Sequence, residues 1–190
     1  MVGEAAAKLS FSGFYDPGMT TFSDYLLSLG SINLTYCPGG GSTIGDGARL
    51  GKVLVTSYAE SSPVGGIVAV KGAFDALSNV GFGMVLHPMS EDTNTTTGAT
   101  WDDGAATATG WSASLHVGLV DGGSWVIKLQ DSSNLSDWAD LANGTLTGLT
   151  PGHAHYDTPT AVRRYVRYIA TRTGGAGGDG ITFAISFSRN

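Results

Sequence analysis

Four large apolar residues near the end of the chain occupy every second position. They are Ile181, Phe183, Ile185 and Phe187, and the residues between them are small or polar. Successive side chains of a β-strand point to opposite faces, so a period of two gathers the four large residues on one face. The pattern predicts a half-buried strand over residues 181–188 with Phe183 and Phe187 in the core.

Similar strand patterns recur along the chain and are separated by turn residues. Strands are predicted over residues 32–36, 52–58, 67–74, 82–87, 111–119, 125–130 and 165–170. Val53, Val55 and Ser57 are expected to share one face, as are Leu115, Val117 and Leu119. The strand over 82–87 is expected to end at Pro88, which has no N–H to donate to a neighbouring strand.

The order of these segments predicts the fold class. With 29 glycines and only 14% charged residues, the chain favours turns and strands over helices. One short helix is predicted within residues 20–30, where Phe22 and Leu26 share a face and Gly30 ends it. The last two strands are expected to form a hairpin. We predict an all-β fold, a β-sandwich or partial barrel over residues 1–190, with a weak lobe boundary near Gly110.

The charge and cysteine content exclude several classes of protein. The formal net charge is −6, and the ten basic residues form only one short cluster, at Arg163, Arg164 and Arg167. A protein that reads DNA sequence needs more clustered cations to neutralise phosphates. A lone Cys37 cannot form an internal disulfide, and we expect it to be a small, partly buried residue. Residues 1–8 lack the apolar core of a secretion signal, so synthesis in a cytoplasm is expected.

Candidate chemistry is sparse in this sequence. No phosphate-binding loop or nucleophile elbow is complete. His153 and His155, with Asp157, could share one face of an extended segment and bind a metal, but the flanking prolines favour a surface loop or a subunit contact. His87 and His116 are expected to be strand residues with local partners. We therefore expect no enzyme activity, no metal and no cofactor.

The tryptophans leave a further alternative open. Trp125 and Trp138 are expected to anchor the core, whereas the positions of Trp101 and Trp111 are less determined by the pattern. Exposed tryptophans could form a platform for sugar rings. A glycan-binding module therefore remains a competing interpretation, as does a hydrolase.

A set of short segments carries a family resemblance by its collinear order. The segments are Phe11-Ser12-Gly13-Phe14-Tyr15-Asp16, Val64-Gly65-Gly66-Ile67, Gly83-Met84-Val85-Leu86-His87, Asp103-Gly104-Ala105-Ala106-Thr107, Leu115-His116-Val117, Lys128-Leu129-Gln130-Asp131-Ser132, Trp138-Ala139-Asp140-Leu141 and Arg164-Tyr165-Val166-Arg167. In this order they resemble the tail tube (major tail) proteins of long-tailed bacteriophages, particularly those of actinobacterial hosts. A capsid decoration protein or another phage structural module is the alternative within the same class.

The resemblance implies a subunit that assembles with copies of itself. Such subunits close into rings, commonly six-fold, whose strands form a continuous β-barrel lumen, and the rings stack into a tube. The tube would lie in the virion tail, contact the tape measure, terminator and distal tail proteins, and pass the genome into the host. DNA would be bound only in transit, without sequence specificity, and an acidic lumen would repel its phosphates.

Two polar loops and one histidine segment are the candidate contact sites for such an assembly. The loops over residues 37–47 and 90–98 have few apolar residues, so we expect them to be mobile in a monomer and to become ordered against a neighbouring copy. The arginine cluster is expected at subunit contacts or on the outside. The candidate contact residues between subunits or rings are Thr43, Ile44, Asp46, Arg49, Asp92, Asn94, His153 and His155.

Overall fold

The computed structural model describes residues 8–14, 30–61, 69–78, 80–147, 149–175 and 179–190. Every regular element within these ranges is a β-strand. The strands are β1 (Lys8–Phe14), β2 (Ser31–Tyr36), β3 (Gly47–Ser61), β4 (Ala69–Ala76), β5 (Gly81–Asp92), β6 (Thr96–Thr97), β7 (Trp101–Asp102), β8 (Trp111–Asp121), β9 (Ser124–Ser132), β10 (Trp138–Leu146), β11 (Gly152–Thr158), β12 (Tyr165–Thr173) and β13 (Gly180–Arg189). The all-β prediction is confirmed. The predicted helix falls mainly outside the described residues, and no helix among the described residues could span a membrane.

The contacts divide the chain into two compact units. Unit 1 comprises Met1–Leu34 and Gly51–Val80, and unit 2 comprises Thr35–Leu50 and Gly81–Asn190. Strand β3 contributes residues 47–50 to unit 2 and the rest of its length to unit 1. Gly110 lies inside unit 2.

Unit 1 contains a small antiparallel sheet in which β4 lies between β1 and β3, with β2 also pairing with β3. Its core cluster includes Val53, Val55 and Phe74. A bulge follows Val55: Val55 pairs with Phe74 and Ser57 pairs with the adjacent Ala73, so Thr56 is an additional residue on β3. The bulge reverses the faces, so Ser57 is exposed and Tyr58 packs against the cluster. The prediction that Ser57 shares a face with Val53 and Val55 is wrong for this reason.

The first sheet of unit 2 has β13 near its centre. Its order is the beginning of β3, then β5, β13, β8 and β11. Ile181, Phe183, Ile185 and Phe187 are at most 1% exposed, which confirms the predicted face. This face packs onto the second sheet through one large hydrophobic cluster.

The second sheet of unit 2 has the order β10, β9, β12 and β6, with β7 also pairing with β12. Trp125, Ile127 and Leu129 of β9 point into the cluster, as predicted. The predicted hairpin between the last two long strands is wrong: β12 pairs with β9, and β13 pairs with β5 and β8. Both strands are amphipathic, and alternation identifies the buried face of a strand without identifying its neighbour.

Bulges in β5 and β8 account for two further differences from the predicted strands. Strand β5 continues past Pro88 to Asp92, because His87 pairs with Ile185 and Ser90 with Phe183, which places two β5 residues opposite one residue of β13. Proline is tolerated there because a bulge leaves backbone groups out of the ladder. Gly118 is the additional residue of a bulge in β8, and Leu119 beyond it is 51% exposed instead of buried.

The tryptophans also differ from expectation. Trp125 is buried as predicted, but the fully buried indole is that of Trp111, which stacks on Phe187 with ring centroids 5.9 Å apart. Trp138 is partly exposed, and the guanidinium of Arg167 lies 3.9 Å from its ring centroid. Trp138 is therefore a surface residue covered by a cation, and the prediction of a core anchor is wrong.

Candidate functional site

A depression of about 330 Å³ lies in unit 2 on the face of the first sheet that points away from the core. Its floor contains Val85, Ala184 and Ser186, which alternate with core residues of β5 and β13. Cys37 and His116 also line it. A concave site with two potentially reactive groups is the first place to test for chemistry.

His116 is a neutral histidine with a local partner, as the sequence suggested. Its Nε2 lies 2.9 Å from Oγ1 of Thr35, and it pairs across the strands with His153, whose ring centroid is 6.4 Å away. Burial, and secondarily the neighbouring His153, lowers the pKa of His116 to about 4. The imidazole is therefore uncharged at neutral pH and supplies no cation for a phosphate.

Cys37 is not an activated nucleophile. Burial, and then the charge of Asp46, raises the pKa of the thiol above its ordinary value. The thiolate is the reactive form of cysteine, so a raised pKa lowers its reactivity. The depression thus combines a protonated thiol with a neutral imidazole, and neither group is poised for nucleophilic catalysis.

Asp92, a predicted contact residue, faces the interior of unit 2. Its Oδ1 lies 3.6 Å from Nε2 of His87, and its Oδ2 accepts a hydrogen bond of 3.2 Å from the Tyr168 hydroxyl. His87 stacks on Phe183 with ring centroids 4.2 Å apart. Desolvation, and then the neighbouring Asp92, raises the pKa of Tyr168. These groups satisfy one another inside the unit, and a contact of Asp92 with another copy stays a prediction.

The predicted contact loop over residues 37–47 is docked on its own unit. Gly45 N–H donates to the Val85 carbonyl at 2.9 Å, and Val85 N–H donates to the Asp46 carbonyl at 2.8 Å. The Asp46 carboxylate accepts from Thr43 N–H at 3.0 Å and closes the turn, in which Ile44 is half-buried. The expectation that this loop lacks support from its own domain is wrong, because backbone hydrogen bonds replace the missing apolar contacts.

Arg49 lies beyond this loop, in β3. Its guanidinium is 4.3 Å from the ring centroid of Phe82, the residue directly opposite on β5, and it donates to the Ala48 carbonyl at 3.3 Å. Phe82 is 70% exposed. Arg49 and Phe82 therefore form an exposed cation–π pair on the surface of unit 2.

The second predicted loop is also tied to unit 2. Residues 90–92 belong to β5, and β6 pairs with β12. Arg172 donates from its backbone to Thr95 Oγ1 at 3.1 Å and from its side chain to the Thr93 carbonyl at 3.0 Å. Asn94 remains exposed between these attachments. The prediction of an unsupported loop is wrong for residues 90–98, although the exposure of Asn94 agrees with it.

His153 and His155 lie on a strand and not on a loop. Both belong to β11, which pairs with β8 at the edge of the first sheet. His155 Nδ1 is 2.9 Å from Ser114 Oγ. Within the part of the chain that the structure describes, no three His, Cys, Asp or Glu side chains converge as a metal site.

The arginine cluster is largely engaged within unit 2. Arg163 donates to Asp131 from its backbone and guanidinium at 2.6–2.8 Å, and Asp131 is only 6% exposed. Arg164 forms a two-pronged pair with the exposed Asp102 at 2.6 and 2.7 Å, which lowers the pKa of that carboxyl. Arg163 and Arg164 thus have carboxylate partners in their own chain.

One exposed residue escaped the sequence analysis. Leu135 lies in the turn between β9 and β10, is 52% exposed and has a φ of 65°. Asn134 organises this turn, because its Oδ1 accepts from the N–H groups of Ser136 and Asp137 at 3.0 and 2.8 Å. A leucine within a Ser/Asn/Asp-rich turn was the available signal, since such turns rarely need an apolar residue.

No protein-family model matches the chain, and no curated protein matches it.

Proposed function

We propose that this chain is a structural subunit of the tail tube of a long-tailed bacteriophage. Copies close into rings, six-fold as the sequence resemblance implies, and the rings stack into the conduit through which DNA reaches the host. The subunit acts in the virion tail without enzymatic activity, beside the other tail proteins. DNA passes through it without sequence-specific contacts.

The observation that carries this proposal is the open edge of the first sheet of unit 2. Strand β11 is seven residues long and pairs on one side with β8, and no second partner strand lies beside it among the described residues. An unpaired edge presents free N–H and C=O groups that bind another strand readily. A ring in which each copy covers the next edge leaves no such strand exposed.

The exposed apolar residues support self-association as well. Among the residues that the structure describes, seven large hydrophobic side chains are more than a third exposed: Tyr36, Leu54, Leu77, Phe82, Met89, Leu119 and Leu135. Their burial between copies would remove apolar surface from water, which is the main driving force of association. The acidic net charge and the paired arginines favour a DNA path without tight binding.

Electron microscopy and sedimentation velocity of the purified protein test this proposal. We expect stacked rings or tubes of uniform diameter at high protein concentration. A monomer at every concentration would refute the proposal. A small closed oligomer that binds capsid shells would favour a decoration protein instead.

A charge placed on β11 tests whether its open edge pairs with another copy. His155→Lys adds a positive charge to β11, and lysine on an edge strand opposes pairing with another strand. Thr100→Lys adds a charge at an exposed position outside the strands and is the control. We expect tubes from the control variant and separate subunits from His155→Lys.

A further inference from the structure

We propose that Leu135, Trp138 and Arg167 of one copy dock against Met89, Glu91, Leu119 and Thr182 of another copy. The first group is named the Leu135 patch and the second the Met89 row. Both groups lie in unit 2. This inference rests on the proposed self-assembly and identifies a head-to-tail contact that contributes to it.

Leu135 is an exposed apolar residue that a hydrogen-bonded turn holds in a strained backbone conformation. Leucine at a φ of 65° occupies the left-handed region that glycine adopts without cost. The Trp138 indole N–H donates to the Leu135 carbonyl at 3.0 Å, and the Asn134 side chain holds the rest of the turn. Strained residues persist where the surrounding structure imposes them, and they cluster at functional sites.

Arg167 gives this patch an uncompensated positive charge. Its guanidinium stacks on Trp138 and donates to Gln130 Oε1 at 3.1 and 2.9 Å. No carboxylate pairs with Arg167 among the residues that the structure describes. A partly exposed tryptophan under an arginine without an anionic partner is the composition typical of interface hot spots.

The Met89 row offers the complementary surface. Thr182 pairs with Leu119 on one side and with Glu91 on the other, so the three side chains form a row across three strands. Met89 and Leu119 are 54% and 51% exposed. The Glu91 carboxylate is exposed, and it has no ion-pair or hydrogen-bond partner within the described ranges. The row therefore combines exposed apolar surface with a carboxylate, the anionic partner that Arg167 lacks in its own chain.

One copy cannot satisfy its own patch. The Met89 row lies near the turn that joins β8 to β9, and Leu135 follows the opposite end of β9. The eight residue steps of that strand separate the two ends by roughly 27 Å. A contact between two different surfaces of identical copies is heterologous, and it generates closed rings or open stacks.

Glycine at position 135 separates assembly from folding. Leu135→Gly removes the projecting side chain and also the backbone strain, so we expect an unchanged or higher melting temperature and self-association at least tenfold weaker. Asn143→Gly is the matched control, because Asn143 is an exposed residue of β10 with a φ of 63°. The control is expected to melt at the same or a higher temperature and to assemble like the wild type.

A charge exchange tests the pairing of the two surfaces. Arg167→Glu and Glu91→Arg should each weaken self-association in sedimentation velocity, and the double variant should recover most of it. Failure of the double variant to recover, with both single variants folded, would overturn the proposed pairing. Thermal melts establish that each variant is folded.

The outcomes separate this inference from the proposed function. Tubes from Leu135→Gly that match those of the wild type would overturn the docking and leave the tail tube proposal intact. A wild-type protein that forms only small oligomers, lost in Leu135→Gly, would support the docking and refute the tube. A wild-type monomer at every concentration would overturn both.

Discussion

Truncation of Phe183 is the strongest test of the core of unit 2. The side chain is fully buried in β13, with one ring face stacked on His87 and an edge contact to Tyr168 at 5.6 Å between centroids. Phe183→Ala therefore removes an aromatic ring from the centre of the cluster between the two sheets. The strand continues through this position, so the loss is confined to the side chain.

The expected cost follows from two contributions. Removal of a buried phenylalanine side chain loses about 1.5–3 kcal/mol of transfer free energy. The cavity adds about 24 cal/mol per Å³, or about 2 kcal/mol for roughly 100 Å³ that does not collapse. Strand β13 pairs with β5 on one side and with β8 on the other, which limits collapse. We expect the free energy of unfolding to fall by about 4 kcal/mol.

Equilibrium urea denaturation of the full chain measures this change. Phe183→Leu, which retains most of the apolar volume, should cost less than about 1.5 kcal/mol. If Phe183→Ala unfolded within 1 kcal/mol of the wild type, the packing argument for this face would be refuted.

Three further predictions follow from single positions. Gly83→Ala should lower the free energy of unfolding by at least about 2 kcal/mol in urea titrations, because the new Cβ would collide with the backbone of the opposing strand. Gly47→Ala should leave the free energy of unfolding unchanged, since a Cβ at position 47 meets nothing within 4 Å. Equal losses in the two variants would contradict this prediction. The free energy of unfolding should fall by about 3 kcal/mol as the pH drops from 6.5 to about 4, because folding lowers the pKa of His116 and the unfolded chain therefore binds a proton more readily. In His116→Gln, the free energy of unfolding should depend less on pH over this range. Asp131→Ala should cost about 2–4 kcal/mol because it leaves a partly buried arginine unpaired, whereas Asp102→Ala should melt like the wild type, since its pair is exposed.

The alternation in the sequence predicted which residues are buried where a strand is regular. In β13 and β9 the period of two continues through the hydrophobic cluster, and the predicted faces of Phe183 and Ile127 are confirmed. The same alternation does not identify which strands pair with one another. Strands that follow one another in the chain need not pair, and β12 and β13 belong to different sheets.

The candidate contact residues were harder to place, because hydrogen bonds compensate for polar composition. Asp92 was expected on a polar loop, but it lies beside His87 and Tyr168 in the interior. Asp46 closes a turn against its own backbone. Polar residues of a loop indicate exposure only when no partner lies within reach, and that condition depends on long-range pairing that the sequence does not display.

The proposed assembly surface depends on features that interrupt the regular pattern. Leu119 is exposed because the Gly118 bulge reverses the face of β8, and Met89 lies in the bulge of β5 beside Pro88. Leu135 projects because a hydrogen-bonded turn holds it at a positive φ. Each irregularity destabilises the isolated subunit, because it leaves apolar surface exposed to water or strains the backbone. Burial of these residues against a second copy would offset that cost, which is the physical argument that connects the three positions to self-association.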